Sequence, residues 1–149
     1  MTNAIEARDP NFERRVRDSF ARQPLVQFIG AQLAHVAPGA IDIRLPRNAN
    51  LLQQHGYVHG GALTSIADAA AGYAALSVSE PGTGVLTTEL KVNFLRPAAG
   101  QEVVARGRVL KPGRVLTIVQ SDVYDLNEGR ETHVLTGLVT MMHMDGMLD

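Results

Sequence analysis

The segment from Gly56 to Ser79 constrains the fold of this chain more than any other part of the sequence. It opens with the turn Gly-Tyr-Val-His-Gly-Gly and continues into a run of small and apolar residues whose single charge is Asp68. Glycines allow close approaches that a Cβ would block, so the turn can lead tightly into a helix that starts beside His59. A helix that is apolar on every side is buried, and the rest of the chain must therefore enclose it.

Asp68 lies about two turns into this predicted helix. A buried carboxylate without partners is costly, so its presence needs a reason. In one interpretation it is a solvated residue at the edge of the helix, or it accepts a hydrogen bond from Thr64 or Ser65 one turn back. In the other it is a catalytic carboxylate near the unpaired N–H groups of a helix N-terminus, a combination suited to attack on an acyl group. Composition alone leaves both alternatives open.

The composition excludes several classes of function. The net charge is −1, from 14 basic and 15 acidic residues, which gives no broad basic face for nucleic acid or for a membrane surface. The absence of cysteine excludes disulfides, thiolate nucleophiles and cysteine-based zinc sites. His35, His133 and His143 are scattered without metal-ligand spacing, so we expect no metal site. The expected partners are small molecules or further copies of the chain.

The polar N-terminus shows no apolar segment typical of a signal peptide, and no run of about 18 apolar residues could span a bilayer. The sequence therefore predicts a cytoplasmic protein. Its 149 residues suit one folded unit. We divide the chain into an N-terminal helical extension, residues 1–24, and a main domain, residues 25–149.

Short elements flank the central helix. Asp9 is the expected cap of a helix with Pro10 at its first position, and the spacing of Phe12, Val16 and Phe20 predicts that this helix extends over residues 11–22 with one apolar face. Residues 31–45 alternate as two strands or a hairpin around a Pro-Gly turn. Four further strands are predicted after the helix, at residues 85–95, 102–110, 115–126 and 132–143. Consecutive strands joined by short turns are antiparallel.

In the first strand after the helix, alternation places Leu90, Val92 and Phe94 on one face and Thr87 with Glu89 on the other. A sheet of five or six strands has one apolar face, and only the central helix is apolar enough to cover it. The prediction is an α+β hotdog fold, in which an antiparallel sheet wraps around one long helix and a short N-terminal helix packs outside. The exposed edges of such a sheet are commonly covered by dimerisation, so we expect a homodimer that pairs further into a dimer of dimers.

Four motifs resemble the PaaI-like acyl-CoA thioesterases of the hotdog superfamily. They are the run Gly56 to Gly61, the nine-residue spacing from His59 to Asp68, the segment from Leu86 to Ala98 with its Leu-Arg-Pro-Ala end, and the turn Lys111-Pro112-Gly113-Arg114. The similarity extends over roughly residues 30 to 143. It implies hydrolysis of an acyl-CoA thioester without a metal or redox cofactor, since coenzyme A is part of the substrate.

The resemblance also implies roles for individual residues. Asp68 matches the helix carboxylate that acts as general base or nucleophile, and the N–H of Gly60 matches the group that binds the thioester carbonyl oxygen. Thr87 matches the hydroxyl that helps hold the attacking water, although threonine also favours strands for other reasons. His59 is a candidate base, or else its imidazole bonds the neighbouring backbone and shapes the turn.

Coenzyme A is implied to lie against the turn that contains Lys111, Gly113 and Arg114, and Phe94 is grouped with these residues. The alternative for the two charges is an ordinary solvated turn. One position departs from the family pattern. Many relatives have Asn three residues before the first glycine of the motif, whereas this chain has Gln53, with His55 as a neighbouring substitute.

Helix geometry constrains how these residues can act together. Asp68 is eight residues beyond Gly60, so the two lie roughly 12 Å apart along one helix. A nucleophile must approach its carbon to within about 3–3.5 Å, so both cannot act from one chain on the same carbonyl. The prediction is a site shared between two protomers. The alternatives are a hotdog enoyl-CoA hydratase or dehydratase and an acyl-CoA-binding protein without catalysis.

Overall fold

A six-stranded antiparallel sheet curls around a single long helix in the computed structural model, which describes residues 4–147. The strand order is β1-β2-β4-β5-β6-β3. The helices are α1 (Phe12–Arg22), α2 (Pro24–Ile29) and α3 (Gly60–Leu76). The strands are β1 (Gln32–Ala37), β2 (Ala40–Pro46), β3 (Thr83–Phe94), β4 (Glu102–Lys111), β5 (Leu116–Asn127) and β6 (Arg130–Asp145). The predicted hotdog fold is confirmed.

Helix α3 lies against the sheet at close range because two small residues face it. A Cβ on Gly107 of β4 would lie 2.3 Å from the carbonyl oxygen of Ala70, so only glycine fits there. On β5 the Ser121 hydroxyl donates a hydrogen bond of 2.8 Å to the carbonyl oxygen of Ala67. Both contacts are to backbone carbonyl oxygens of α3, so the sheet approaches the helix backbone directly. Within residues 4–147, no helix is both long and apolar enough to cross a membrane.

Strand β3 lies at the edge of the sheet and pairs with β6, the last strand of the chain. Sequential order suggests β4 as its neighbour, but β4 pairs with β2 and β5 instead. The segment between β3 and β4 is therefore not a hairpin turn. It crosses the glycine-rich turn, where Ala98 accepts a hydrogen bond of 2.9 Å from the N–H of Val58. The crossing holds the glycine-rich turn against the end of β3.

A β-bulge in β3 changes which side chains face the helix. Thr87 pairs with the buried Met141, whereas Glu89 pairs with Thr140 on the outer face, so the intervening Thr88 is an extra residue. The predicted common face for Thr87 and Glu89 is therefore wrong, because strict alternation does not continue through a bulge. The bulge turns Thr87 inward, toward α3.

The N-terminal helices pack against the C-terminal half of α3. Val16 and Phe20 are buried as predicted, and the Phe20 ring meets the Tyr73 ring edge-on with centroids 5.6 Å apart. Helix α1 begins at Phe12 with Asn11 as its N-cap, so the predicted cap at Asp9 is wrong. The Asp9 carboxylate instead accepts a hydrogen bond from the Asn11 N–H at 2.8 Å and pairs with Arg15. The division of the chain at residues 24 and 25 stays a prediction.

Candidate active site

Among residues 4–147, the start of α3 presents one backbone N–H group without a hydrogen-bond acceptor. His59 is the N-cap, and its Nδ1 accepts a hydrogen bond of 2.8 Å from the N–H of Gly61. The N–H of Ala62 donates to the His59 carbonyl oxygen, whereas the N–H of Gly60 meets no acceptor within residues 4–147. An unpaired N–H at the positive end of a helix dipole can stabilise a developing oxyanion.

His59 shapes this turn through its side chain. A Cβ on Gly61 would approach His59 Nδ1 to 3.0 Å, so the imidazole and the glycine fit together. Because Nδ1 accepts a hydrogen bond it carries no proton, and the neutral ring is protonated at Nε2. The interpretation in which the imidazole bonds the neighbouring backbone is thus confirmed. A catalytic role for His59 stays a prediction.

The carboxylate of Asp68 is held by the inward-facing threonine of β3. Thr87 Oγ1 donates a hydrogen bond of 2.7 Å to Asp68 Oδ1 and lies 3.4 Å from the sulfur of Met141. Thr64 and Ser65 donate instead to the carbonyl oxygens of Gly60 and Gly61, one turn back in the helix. The alternative in which one of these two residues bonds Asp68 is therefore wrong.

Asp68 and Thr87 line a cavity of about 350 Å³ between α3, β3 and the N-terminal helices. Leu76, Val85 and Met141 form the apolar part of the cavity wall. Asp68 is half-buried. A cavity of this volume is at the small end of the usual range for ligand pockets, about 300–1,000 Å³. The arrangement can hold a small apolar group beside a fixed carboxylate.

Gly60 lies in a second cavity, of about 370 Å³, whose lining includes Gln53 and Phe94. A Cβ on Gly60 would lie 3.1 Å from the Phe94 ring, so the ring packs directly over the glycine. Phe94 thus lies beside Gly60, and its predicted contact with coenzyme A stays a prediction. The side-chain oxygen of Gln53 accepts a hydrogen bond from the N–H of His55. The Gln53 side chain therefore bonds the backbone of the turn that contains it.

The two cavities of one chain share no lining residue. Asp68 and Thr87 line the first, whereas Gly60 and Gln53 line the second. Eight residues of α3 separate Gly60 from Asp68, a distance of roughly 12 Å along the helix axis. Within one chain, Gly60 and Asp68 therefore lie in two separate cavities.

The predicted turn between β4 and β5 is confirmed as a hairpin. A Cβ on Gly113 would lie 2.0 Å from the carbonyl oxygen of Leu116, so only glycine fits. Arg114 is exposed and lines a cavity of about 440 Å³ together with Arg8 and His143. Lys111 is paired with Ile118 on the outer face of the sheet and does not line this cavity. The two basic residues are therefore not equivalent.

The pKa of His143 in this cavity lies below its usual value. Burial of the ring is the main cause, and the positive charges of Arg8 and Arg15 add to it, while Asp145 opposes the shift. The ring nitrogen Nε2 lies 2.7 Å from the buried Thr117 hydroxyl. A neutral imidazole suits this position, because a proton would be poorly solvated beside two guanidinium groups.

Several residues of the first cavity were missed in the sequence. They are Ser19, Gln23, Leu25, Gly72 and Met141. Most are distant from Asp68 along the chain, and only the packing of α1, α2 and β6 brings them near. One signal was available: Gly72 is a glycine within a predicted helix, and such a glycine often has a packing or functional reason.

Comparison with known proteins agrees with this geometry. Residues 55–132, just over half of the chain, match the family model described as "Thioesterase superfamily". A thioesterase family protein from Silicibacter pomeroyi is 41% identical, covers 91% of this chain and 99% of its own, and superposes with a TM-score of 0.89. The proofreading thioesterase EntH of Klebsiella pneumoniae is 29% identical over 68% of this chain and 74% of its own.

The PaaI protein of the phenylacetic acid degradation operon of Escherichia coli shares the fold. It superposes with a TM-score of 0.84 over 96% of this chain and all of its own, at 20% identity. The matched region contains the glycine-rich turn, α3, β3 and the hairpin with Arg114, which carry the motifs of the predicted resemblance. This chain therefore belongs to the thioesterase superfamily, and it is a hydrolase of acyl thioesters built on the hotdog fold.

Proposed function

We propose that this chain hydrolyses an acyl-CoA thioester to a carboxylic acid and free coenzyme A, with Asp68 driving the attack. The observation that carries the proposal is the hydrogen bond of 2.7 Å from Thr87 to Asp68 at the wall of a cavity sized for an acyl group. The bond fixes one carboxylate oxygen and leaves the other for the reaction. Positioning of this kind is what general acid–base catalysis requires.

In the general-base route, Asp68 takes a proton from water and the hydroxide attacks the carbonyl carbon. The Thr87 hydroxyl donates a hydrogen bond to Asp68, so its oxygen can accept a hydrogen bond from the same water. The tetrahedral oxyanion then collapses and expels the coenzyme A thiolate, which leaves as the thiol after protonation. In the nucleophilic route, Asp68 attacks the carbonyl carbon directly, the C–S bond breaks and the coenzyme A thiolate leaves. Water then hydrolyses the resulting anhydride to the carboxylic acid and regenerates the Asp68 carboxylate. Both routes need only water, the substrate and these side chains.

The oxyanion is stabilised by Gly60 of a second copy of the chain in this proposal. Its N–H has no acceptor within residues 4–147, yet it lies roughly 12 Å along α3 from Asp68 of the same chain. A two-fold dimer that joins the exposed β3 edges would bring the Gly60 cavity of one protomer to the Asp68 cavity of the other. Each dimer would then have two complete sites.

The outer face of the sheet supports further assembly into a dimer of dimers. Leu86, Met142 and Leu116 form one apolar row across β3, β6 and β5, and all three are exposed. Leu138 lies nearby on β6 and is half-exposed. Exposed apolar patches of this kind mark surfaces for protein association.

Arg114 is the residue that we propose for the phosphates of coenzyme A. It is exposed at the hairpin, and a guanidinium binds phosphate through several N–H groups. Lys111 provides a more distant charge on the outer face. Gln53 could bind the carbonyl group through its amide nitrogen, because its oxygen is engaged by the N–H of His55. His59 supports the Gly60 N–H by capping the helix.

The experiment for this proposal measures thiol release from saturated acyl-CoA substrates by the purified protein. Release of one free thiol per carboxylic acid formed is the expected result. A hotdog hydratase would hydrate an enoyl-CoA without any thiol release, and a binding protein would show affinity without turnover. Membership of the thioesterase superfamily favours hydrolysis over both alternatives.

A further inference from the structure

The acyl cavity runs along one face of α3. Asp68, Gly72 and Leu76 all line it and follow one another at intervals of four residues, which places them on the same side of the helix. The three positions extend over roughly 12 Å along the helix axis. An acyl group whose carbonyl lies at Asp68 would therefore pass over Gly72 before it reaches Leu76.

Gly72 is not required by packing. A Cβ at this position would lie 3.7 Å from the terminal methyl group of Met141, which is an ordinary van der Waals contact. Its backbone is helical, without the positive φ that favours glycine. Glycine in a helix is nevertheless less favourable than alanine. The feature that benefits from the missing side chain is the cavity itself, whose wall Gly72 forms.

The N-terminal helices provide further walls of the cavity. Ser19 lies in the last turn of α1, Gln23 directly follows α1, and Leu25 belongs to α2. All three precede residue 55, where the match to the superfamily model begins. This part of the cavity is therefore built from residues outside the region that the superfamily model matches. Leu25 is 54% exposed, so it can be changed with little effect on the core.

We propose that Gly72 and Leu25 determine which acyl group this enzyme accepts, an inference that rests on the proposed function. Gly72 sets the depth of the cavity along α3, and Leu25 provides apolar contact from the N-terminal wall. The volume of about 350 Å³ is more than that of an apolar cavity of about 150 Å³ that binds benzene. The accepted class is an acyl group the size of an aromatic ring or a medium-length chain.

The first test compares octanoyl-CoA and phenylacetyl-CoA with acetyl-CoA in wild type, Gly72→Ala and Gly72→Leu. The measured quantity is the ratio of kcat/KM for each larger substrate to that for acetyl-CoA. Because one methylene in a hydrophobic pocket changes discrimination by about 10- to 200-fold, both variants should lower the ratio at least tenfold. Gly72→Ala should also raise Tm by roughly 2–4 °C, since it removes a helical glycine.

The second test changes the opposite wall with a matched control. Leu25→Ala should raise KM for octanoyl-CoA at least fivefold and alter the ratio to acetyl-CoA. Phe28→Ala lies on the same short helix, one turn further on, is 87% exposed and does not line the cavity. It should leave the ratio within twofold of wild type. Equal effects of the two variants would overturn the role of Leu25.

A binding experiment separates failure of this inference from failure of the proposed function. Thioether analogues of octanoyl-CoA and acetyl-CoA, which cannot be hydrolysed, are titrated into Asp68→Asn and into Asp68→Asn/Gly72→Leu, and the heats give the affinities without turnover. Loss of the preference for octanoyl-CoA in the double variant supports the inference even if Asp68 is not the catalyst. Unchanged ratios in the Gly72 variants, in kinetics and in binding, would overturn it while leaving thioester hydrolysis intact.

Discussion

Thr87 Oγ1 donates a hydrogen bond of 2.7 Å to Asp68 Oδ1, across 19 residues of sequence. The bulge at Thr88 creates this relationship, because without it the Thr87 side chain would point to the outer face of the sheet. The bond fixes the carboxylate in the cavity that we assign to the acyl group. Two predictions concern this pair directly.

Asp68→Asn should lower kcat for acyl-CoA hydrolysis by roughly 10²–10⁴, because a positioned acid–base group contributes about that much. The amide keeps the shape of the side chain and can still accept from Thr87, so the fold should be retained. Thiol release measures the rate, and circular dichroism checks the fold. Turnover within a few-fold of wild type in a folded variant would exclude Asp68 as the catalytic group.

Thr87→Val should lower kcat more than it raises KM. Valine has nearly the same shape but lacks the hydroxyl that holds Asp68 and can accept from the attacking water. Thr87→Ser keeps the hydroxyl and is the matched control, with activity expected close to that of wild type. If the valine and serine variants were equally active, the Thr87 hydroxyl would have no part in catalysis, and the residue would serve only the structure of the strand.

A shared site predicts that two inactive variants restore activity in a mixed dimer. Gly60→Pro removes the N–H at the first helical position, where proline is tolerated, and Asp68→Asn removes the catalytic carboxylate. One site of the mixed dimer would combine the intact Gly60 of one chain with the intact Asp68 of the other. About half of the wild-type activity per dimer should return, measured after co-expression with two purification tags.

Gly60→Ala is the control for that experiment. It keeps the N–H but places a Cβ against the Phe94 ring, so it separates the steric effect from loss of the hydrogen-bond donor. Alanine should retain more activity than proline. A mixed dimer as inactive as both parents, with assembly verified by light scattering, would contradict the shared site.

Substitution of Lys111 and Arg114 in the hairpin should weaken substrate binding more than it slows the chemical step. The double variant Lys111→Ala/Arg114→Ala should raise KM for acyl-CoA much more than it lowers kcat, because the phosphates bind alike in the ground and transition states. Of the single variants, Arg114→Ala should have the larger effect, since Lys111 lies on the outer face. Added salt should weaken binding by wild type more than by the double variant. An unchanged KM would make both residues plain turn charges.

His143 should make the protein less stable as the pH falls. Burial, with Arg8 and Arg15, lowers its pKa in the folded state, so the unfolded chain takes up the proton first. The free energy of unfolding should therefore fall from about pH 6.5, the ordinary histidine value, down to the lowered pKa of the folded state. Urea titrations of His143→Gln should show a weaker pH dependence. The exposed His35, changed to Gln, is the control.

The sequence determined the central helix and most of its surroundings. The all-apolar run after the glycine-rich turn can be stable only inside the protein, and alternating segments with short turns can form only an antiparallel sheet around it. The places of His59, Gly60 and Asp68 on this helix could be predicted because their relation is local, set by a helix start and by the helical rise. The same rise separates Gly60 from Asp68 and predicts the shared site before any contact is known.

The tertiary structure decided what depends on long-range packing. The pairing of β3 with β6 follows from how the sheet closes around α3, and local turn signals do not encode it. The bulge at Thr88 is one extra residue in one strand, so alternation in the sequence assigned Thr87 to the wrong face. The grouping of Phe94 with Gly60, and of Leu25 with Gly72, likewise arises only when distant elements meet. The positions that we propose for catalysis could thus be predicted from the sequence, whereas their contacts and the cavity beside Asp68 required the packed fold.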